Sequence, residues 1–251
     1  MEKIPVLGVP IDITSYKAST KNIIQWAKDH QSRYICAANV HMVMEAYDHK
    51  EFKEILRTSD MVTPDGMPLV WILRIKGEKN QERVYGPTLM LHILEAAAKN
   101  RIPVGLYGGN IDVLDKLVKQ MKGKYSELNI AYFYSPPFRA LSLEEDDEIC
   151  RQIHDADVRL LFVGLGCPKQ EIWMGGHWGR IKAVMVGVGA AFDFHAGIKL
   201  QAPIWMQTTG LEWLFRLLHE PRRLAGRYLY NNPRFVLLAL MDLLGILNLD
   251  K

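Results

Sequence analysis

The stretch LLFVGLGCPKQE, residues 160–171, joins a short apolar run to a turn rich in glycine. Residues 160–165 are apolar almost without interruption, which is typical of a strand buried on both faces of a sheet. Gly164 and Gly166 lie at the end of this run and open a turn from which a helix can begin. The stretch therefore predicts a strand–turn–helix unit, the building block of α/β proteins.

Units of the same kind occur on both sides of this stretch. Apolar runs predict strands over residues 34–37, 104–107, 130–134, 160–165 and 183–188. Asn110 can cap a helix that extends to Met121. Ser142 and Glu145 form a capping box for a second helix, which extends to Ile153. Strands that alternate with helices in this way predict an α/β fold with a mainly parallel sheet and helices on both faces.

The pattern changes after about residue 201, where no further strand is predicted. We expect helices over residues 205–219, 221–230 and 234–247, separated by Pro221 and Pro233. The predicted domains are therefore an α/β core over residues 1–200 and a C-terminal helical appendage over residues 201–251.

The composition is that of an ordinary soluble globular protein, with 251 residues of which 49% are hydrophobic and 24% charged. Three widely spaced cysteines, Cys36, Cys150 and Cys167, argue against a disulfide framework and for a reducing compartment. The first residues lack the pattern of a signal peptide, and no apolar run reaches the about 18 residues of a membrane-spanning helix. We therefore expect a cytoplasmic protein whose membrane contact is peripheral, on the inner face of the cell membrane.

Two more predicted strands end in glycine turns, at Gly108-Gly109 and at Gly187-Val188-Gly189. Ligands of open parallel sheets bind beyond the carboxyl ends of the strands, where glycine lets backbone amides approach a phosphate. Three such turns at one edge favour a phosphate-bearing ligand. The alternative is that each glycine only permits close packing of a strand and a helix.

An NAD(P)-dependent oxidoreductase is the first alternative function, and it needs a third glycine three residues after the second. Lys169 and Phe192 occupy that position in two of the turns. No Gly-Lys-Ser/Thr phosphate loop occurs either. A nucleotide-sugar site therefore fits the turns better than a dinucleotide site.

A candidate catalytic carboxylate lies in the turn Thr63-Pro64-Asp65-Gly66. Pro64 restricts Thr63 to extended geometry, and Gly66 permits close approach of a ligand. Asp65 in such a turn could deprotonate a sugar hydroxyl as it attacks an anomeric carbon. The alternative is a turn aspartate that only caps its neighbours.

Metal binding is not predicted. The one Asp-x-Asp motif, Asp155-Ala156-Asp157, ends a predicted helix directly before a strand, opposite the edge that carries the glycine turns. We interpret it as a solvated turn. The eight histidines show no paired ligand spacing, so neither a zinc site nor another cofactor is expected.

Several blocks follow one another in a specific order along the chain. They are ANVHMV (38–43), TPDG (63–66), RVYG (83–86), GLGCPKQE (164–171), GVG (187–189) with Phe192-Asp193, and GLEWLFRL (210–217) with Glu220-Pro221. From about Val6 to Arg234, this set resembles the WecG/TagA/CpsF glycosyltransferases.

The resemblance implies a Rossmann-like core and an inverting, metal-independent enzyme that forms β-glycosidic bonds. Such enzymes extend undecaprenyl-diphosphate-linked sugars for teichoic acid linkage units, enterobacterial common antigen or exopolysaccharides. The expected partners are a UDP-sugar donor, this lipid-linked acceptor and an anionic membrane surface. No nucleic acid is expected, and a homo-oligomer is compatible with these features. His41 replaces an expected acid, so UDP-glucose competes with a UDP-N-acetylmannosamine-like donor.

The resemblance also assigns roles to residues. Asp65 matches the catalytic aspartate, and Asn39 and His41 complete the candidate catalytic set. The candidate donor-binding residues are Arg83, Gly108, Gly109, Gly166, Pro168, Lys169, Gln170, Glu171, Gly187, Gly189 and Asp193. Ala37 and Ala38 stand where some members carry Thr-Pro. Either His41 or water replaces that threonine, or its role is not general.

A basic segment precedes an apolar one at the C-terminal end. Residues 213–234 contain five arginines and only one acid, Glu220, and residues 235–249 are mostly apolar. We predict that Arg216, Arg222, Arg223 and Arg227 bind the acceptor diphosphate or an anionic membrane, to which each basic residue contributes roughly 1 kcal/mol. The alternatives are a packed helical subdomain, a subunit interface, or a non-catalytic scaffold of a polysaccharide assembly complex.

Overall fold

The computed structural model describes residues 2–247. The strands are β1 (Lys3–Val6), β2 (Val9–Asp12), β3 (Arg33–Ala38), β4 (Met61–Pro64), β5 (Val104–Gly108), β6 (Ile130–Tyr134), β7 (Leu160–Gly164) and β8 (Val184–Gly187). The helices are α1 (Tyr16–Lys28), α2 (Val40–Asp48), α3 (Lys50–Thr58), α4 (Met67–Ile75), α5 (Gly86–Lys99), α6 (Ile111–Lys124), α7 (Leu143–Asp155), α8 (Lys169–His177), α9 (Ala191–His195), α10 (Ile204–Thr208), α11 (Glu212–His219) and α12 (Pro221–Leu243).

The main sheet has six strands in the order β4-β3-β8-β7-β5-β6. Neighbouring strands from β3 to β6 pair in parallel. The predicted Rossmann-like α/β fold is therefore confirmed, and all five predicted strands are present as β3, β5, β6, β7 and β8. Strands β5 and β8 are buried along their whole length, which explains their uninterrupted apolar sequence.

Both predicted helix starts are confirmed. The side chain of Asn110 accepts a hydrogen bond from the backbone N–H of Val113 at 2.9 Å and caps α6. At α7, Ser142 and Glu145 form the complete capping box. These caps satisfy N–H groups that have no partner within the helix.

The chain divides into two compact units. Unit 1 consists of Met1–Ser15, Ala37–Tyr85 and Gln201–Lys251, and unit 2 of Tyr16–Cys36 and Gly86–Leu200. Residues 201–247 therefore share a unit with residues 37–85. The division into a core over residues 1–200 and an appendage over residues 201–251 that binds the acceptor or the membrane stays a prediction.

The C-terminal helices differ from the prediction in two places. The single helix expected over residues 205–219 is two helices, α10 and α11, separated at Gly210. Gly210 has a φ of 75°, and a Cβ there would lie 2.7 Å from the ring of Trp71. The helix therefore breaks where only glycine fits.

Pro233 does not separate two helices as expected, because α12 continues through it from Pro221 to Leu243. Proline removes one backbone donor, which frees the carbonyl four residues earlier, at Leu229. Leu229 is exposed, so water can satisfy that carbonyl. Residues 248–251, which include the end of the predicted apolar stretch, lie outside the described residues. None of the helices in the described part of the chain has the length and hydrophobicity needed to cross a membrane.

Candidate active site

The turn that carries Asp65 follows β4 in unit 1 and is held by backbone hydrogen bonds on both sides. The N–H groups of Asp65 and Gly66 both donate to the carbonyl of Ala38, at 2.8 and 3.1 Å. The N–H of Val84 donates to the carbonyl of Pro64 at 3.0 Å. A Cβ at Gly66 would lie 3.3 Å from the Cα of Asn39, so glycine allows the turn to lie close to the next loop. The half-buried Asp65 therefore has a fixed backbone.

Asn39 and His41, the other candidate catalytic residues, lie at the start of α2 in the same unit. Asn39 caps the helix, because its Oδ1 accepts the N–H of Met42 at 3.2 Å. Its side-chain amide N–H groups are not used in this cap. The Nδ2 of Asn231 donates to Nδ1 of His41 at 3.2 Å, so a neutral His41 carries its proton on Nε2. This tautomer makes His41 a donor rather than a base.

Arg83 is anchored to the Asp65 turn and to the C-terminal helices of unit 1. Its Nε donates to the backbone carbonyl of Asp65. One Nη donates to the carbonyl of Gln207 at 3.2 Å, and the other to Oε2 of Glu212 at 2.6 Å. Burial lowers the pKa of Arg83, but the charges of Asp65 and Glu212 outweigh it and raise the pKa. Arg83 is therefore a fixed cation beside Asp65.

A second arginine belongs to the same group of charges. Burial lowers the pKa of Arg216, and the neighbouring Tyr228, Glu212, Tyr85 and Asp65 together raise it. The other predicted acceptor or membrane arginines lie on α12, where Arg222 and Arg223 are exposed and Arg227 is half-buried. Only Arg216 is thus part of the Asp65 cluster. In unit 1, the structure brings two carboxylates together with two guanidinium groups.

The turns after β7 and β8 form a second polar cluster, within unit 2. Oε1 of Gln170 accepts the N–H of Gly166 at 3.1 Å, and its Nε2 donates to Oε1 of Glu171 at 2.7 Å. A Cβ at Gly187 would lie 3.0 Å from Nε2 of Gln170, and one at Gly189 3.5 Å from its Oε1. Gln170 therefore joins the turns that predicted donor binding.

Glu171 lies fully buried beneath this cluster. Burial raises its pKa to about 7. Its Oε2 has no hydrogen-bond partner within the part of the chain that the structure describes. An uncharged Glu171 near neutral pH is consistent with these surroundings, because a buried, ionised carboxylate with one unsatisfied oxygen would be costly.

The remaining predicted donor-binding residues lie around the same strand ends in unit 2. Gly108 is the last residue of β5, and the carbonyl of Gly109 accepts a hydrogen bond from Ser135 at 2.8 Å. Pro168 is half-buried, and Lys169, the first residue of α8, is exposed. Asp193 forms an ion pair with Lys199 at 2.9 Å. The structure thus places the donor-binding set in unit 2 except Arg83, which belongs to unit 1.

Groups of metal-ligand type are already engaged with one another. Asp157 is exposed, pairs with Arg159 and lies before the amino end of β7, as expected for the Asp-x-Asp turn. Within residues 2–247, ligand atoms of Asp146, Cys150 and His177 lie within 4.8 Å of one another. His177, however, uses one ring nitrogen for the carbonyl of Trp173 at 2.7 Å and the other for Asp146 at 2.9 Å. Both ring nitrogens of His177 are therefore engaged in hydrogen bonds within the protein.

The comparison with protein families decides the identity of the chain. The family described as "Glycosyl transferase WecG/TagA/CpsF family" matches residues 4–248. The chain belongs to this family. It is a glycosyltransferase, and the blocks that carry the resemblance contribute both polar clusters described above.

Three similar proteins share one name, N-acetylglucosaminyldiphosphoundecaprenol N-acetyl-beta-D-mannosaminyltransferase. The chain is 28% identical to the protein of Bacillus subtilis (strain 168) over 83% of this chain and 79% of that protein. It is 26% identical to that of Bacillus spizizenii over 91% and 86% of the two chains, respectively. It is 27% identical to that of Staphylococcus aureus (strain MW2) over 89% and 87%.

Sequence reasoning missed two members of the Asp65 cluster in this family member. Glu212 contacts both Arg83 and the hydroxyl of Tyr85. Both residues belong to blocks that the resemblance quoted, RVYG and GLEWLFRL. The sequence does show that Glu212 is a charged residue at the start of an amphipathic helix. It does not show the partner, because Tyr85 lies more than 120 residues away in the sequence.

Proposed function

We propose that this glycosyltransferase moves a sugar from a UDP-sugar to an undecaprenyl-diphosphate-linked sugar during cell-surface polysaccharide synthesis. One observation carries the proposal: the carbonyl of Asp65 in its fixed turn accepts a hydrogen bond from the guanidinium of Arg83, and Asp65 is among the charges that raise the pKa of Arg216. A base next to two guanidinium groups suits transfer to a hydroxyl with loss of a diphosphate.

Asp65 accepts the proton of the acceptor hydroxyl as its oxygen attacks the anomeric carbon of the donor. The bond between that carbon and the diphosphate oxygen breaks, and UDP leaves with the bonding electrons. A single displacement of this kind inverts the anomeric centre. Two arginines near the leaving group stabilise the charge that develops on the diphosphate.

The same pair of guanidinium groups supports a mechanism without a metal ion. A divalent cation in such enzymes would neutralise the leaving diphosphate, and fixed arginines supply positive charge for the same purpose. We assign Asn39 and His41 to hydrogen bonding of a substrate, because the cap of α2 does not use the amide N–H groups of Asn39, and a neutral His41 that accepts from Asn231 has its N–H on Nε2. The turns of Gly166 and Gln170 are assigned to the donor.

The names of the relatives support the choice of substrates. They act, by name, on N-acetylglucosaminyldiphosphoundecaprenol and transfer an N-acetyl-β-D-mannosaminyl group. We therefore propose UDP-N-acetylmannosamine as the first donor to test and UDP-glucose as the second, because the histidine at position 41 differs from the acid expected there.

The decisive experiment measures UDP release from both donors in the presence of a lipid-diphosphate N-acetylglucosamine acceptor and EDTA. We expect release that depends on the acceptor, a disaccharide product with a β linkage, and no loss with the chelator. Acceptor-dependent release that requires added Mg²⁺ or Mn²⁺ would disprove the metal-free mechanism. A complete absence of transfer would favour the scaffold, and NAD(P)H turnover the oxidoreductase.

The C-terminal helix supports peripheral binding to an anionic membrane. One face of α12 is buried in unit 1, and the opposite face is apolar and exposed. The buried side chains include Leu224, Phe235 and Ala239. The exposed ones include Leu229, Val236, Leu237 and Leu240, and the exposed Leu244 follows directly at the end of the helix. Arg222 and Arg223 extend from the first turn of the same helix. An apolar face next to basic residues is typical of helices that lie in a membrane interface.

Replacing Leu237 and Leu244 together with glutamate should therefore reduce binding to phosphatidylglycerol vesicles by about 10-fold or more, because two apolar side chains leave the interface and two negative charges are added. Co-sedimentation measures the bound fraction. Leu143, which is 84% exposed on α7 in unit 2, gives the matched control Leu143→Glu. Transfer to an acceptor with a short, water-soluble lipid should stay near native. Native vesicle binding by the double variant would contradict the membrane role of α12.

A further inference from the structure

Glu212 lies at the first position of α11 and is nearly buried, with 8% of its surface exposed. Its two carboxylate oxygens have different partners. Oε2 accepts from Nη2 of Arg83 at 2.6 Å, and Oε1 accepts from the hydroxyl of Tyr85 at 2.9 Å. A buried carboxylate is costly unless its oxygens are satisfied in this way. The hydrogen bonds from Arg83 and Tyr85 therefore fix the carboxylate of Glu212.

We propose that Glu212 is a positioning residue of the transfer reaction, one that holds the guanidinium of Arg83 in the orientation needed to stabilise the leaving diphosphate. This inference rests on the proposed function, in which Arg83 acts on the diphosphate. Glu212 itself does not touch the reacting atoms. It acts through Arg83 and, with Tyr85, determines which way the planar guanidinium faces.

The hydrogen bonds of Arg83 show why the orientation matters. A guanidinium has five N–H groups. In Arg83, the Nε–H donates to Asp65, one N–H of Nη1 donates to Gln207, and one N–H of Nη2 donates to Glu212. Among residues 2–247, the remaining N–H on each Nη has no further partner, so both can donate to a ligand in the plane that the three bonds define. The ring of Tyr85 lies against the guanidinium, 4.1 Å from ring centroid to Cζ, and prevents rotation out of this plane.

The charges of the cluster predict an unusual kinetic signature. Asp65 and Glu212 balance Arg83 and Arg216, so the four ionised groups have no net charge. Neutralising Glu212 leaves a net positive charge, which attracts a diphosphate more strongly even though Arg83 is held less well. Loss of Glu212 should therefore lower kcat without weakening donor binding. A residue needed only for folding would lower the amount of active enzyme and not separate these two constants.

Glu212→Gln tests this with nearly the same side-chain volume. We expect kcat to fall by about 10–100-fold, because a charge-assisted hydrogen bond to a buried cation is replaced by a neutral one. The KM for the UDP-sugar should stay within about threefold of native or decrease. Glu54→Gln, at an exposed position on α3 in the same unit, is the matched control and should leave both constants native.

A second measurement does not depend on catalysis. Phenylglyoxal modifies accessible guanidinium groups, and mass spectrometry of the peptides gives the rate for each arginine. Arg83 should react slowly in native protein relative to the exposed Arg222, and about 10-fold faster in Glu212→Gln, while Glu54→Gln keeps the native rate. This result tests how Glu212 holds Arg83 even if the native enzyme transfers no sugar, an outcome that would contradict the proposed function alone.

The inference is overturned if Glu212→Gln has native kcat, or if its KM rises by about 10-fold with kcat unchanged, or if Arg83 keeps its native reactivity. If Glu212→Gln yields no folded protein, Tyr85→Phe provides the test, because it removes the hydroxyl that donates to Oε1 of Glu212 and keeps the ring that lies against the guanidinium. It should then lower kcat by about threefold at native KM and increase the reactivity of Arg83. Native values of both would overturn the inference.

Discussion

Replacing Asp65 with asparagine is expected to lower kcat for sugar transfer by about 10²–10⁴-fold, the usual cost of losing a general base. The amide has nearly the same shape but cannot accept the proton of the acceptor hydroxyl. The backbone bonds of the turn to Ala38 and Arg83 use main-chain atoms of Asp65, so the turn itself should survive the change. UDP release under saturating donor and acceptor measures the effect, and the KM for the donor should change by less than about threefold.

Asp157→Asn is the matched control for this experiment. Asp157 is exposed in unit 2, before the amino end of β7, and it belongs to the Asp-x-Asp sequence that would mark a metal site in other nucleotide-sugar transferases. We expect native kcat for this variant, with or without EDTA. A native rate for Asp65→Asn would mean that another group takes the proton. A large loss in Asp157→Asn would return the metal site to consideration.

The fold was predictable from the sequence wherever burial imposes a pattern. Of the five predicted strands, β3, β5, β7 and β8 are mostly buried and apolar at consecutive positions, as expected where helices cover a parallel sheet on both sides. Strand β6, at the edge of the sheet, is largely half-buried. The hairpin β1–β2 was not predicted, because each strand has four residues and the turn at Leu7-Gly8 lacks a typical hairpin sequence. Leu7 nevertheless adopts a positive φ of 49°. Tertiary packing of this buried leucine outweighs its local preference.

Of the candidate site, the sequence predicted only residues that belong to recognisable motifs. Asp65 and Arg83 belong to quoted blocks, and the structure brings them together through the backbone carbonyl of Asp65. The pairing of Glu212 with Arg83 and Tyr85 joins parts of the chain that are more than 120 residues apart, and periodicity carries no information about such a pair. The continuity of α12 through Pro233 was missed for a different reason: solvent exposure of the affected turn, which decides the cost of proline, is a tertiary property.

The glycine turns had two interpretations, phosphate approach and close packing, and the structure separates them by position. A Cβ at Gly164 would lie 2.5 Å from the ring of Phe192, and one at Gly108 would lie 2.7 Å from the backbone of Gly164. Packing alone therefore requires glycine at both. Gly166 has a φ of 78° and nothing within 4 Å of an added Cβ. That position requires glycine for its conformation and has open space on the side where a Cβ would lie, which a ligand could approach.

Gly108→Ala should consequently reduce the free energy of unfolding by about 3 kcal/mol or more, the sum of a strained backbone and an overpacked contact. Gly108 has a φ of 116°, which residues with a Cβ rarely adopt, and the atoms in its way are backbone atoms at the carboxyl end of β7, which cannot move aside like a flexible side chain. Urea unfolding, followed by circular dichroism, measures the change as a lower midpoint at unchanged slope.

Gly123→Ala adds the same Cβ atom but is expected to change the free energy of unfolding in the opposite direction. Gly123 lies in α6 of unit 2, is exposed, and has nothing within 4 Å of the position of a Cβ. Alanine there should raise the free energy of unfolding by about 0.5 kcal/mol, because it restricts the unfolded chain and favours the helix. Equal midpoints for the two variants would show that the ends of β5 and β7 can separate at little cost. Gly108 would then be available for approach to a phosphate rather than committed to packing.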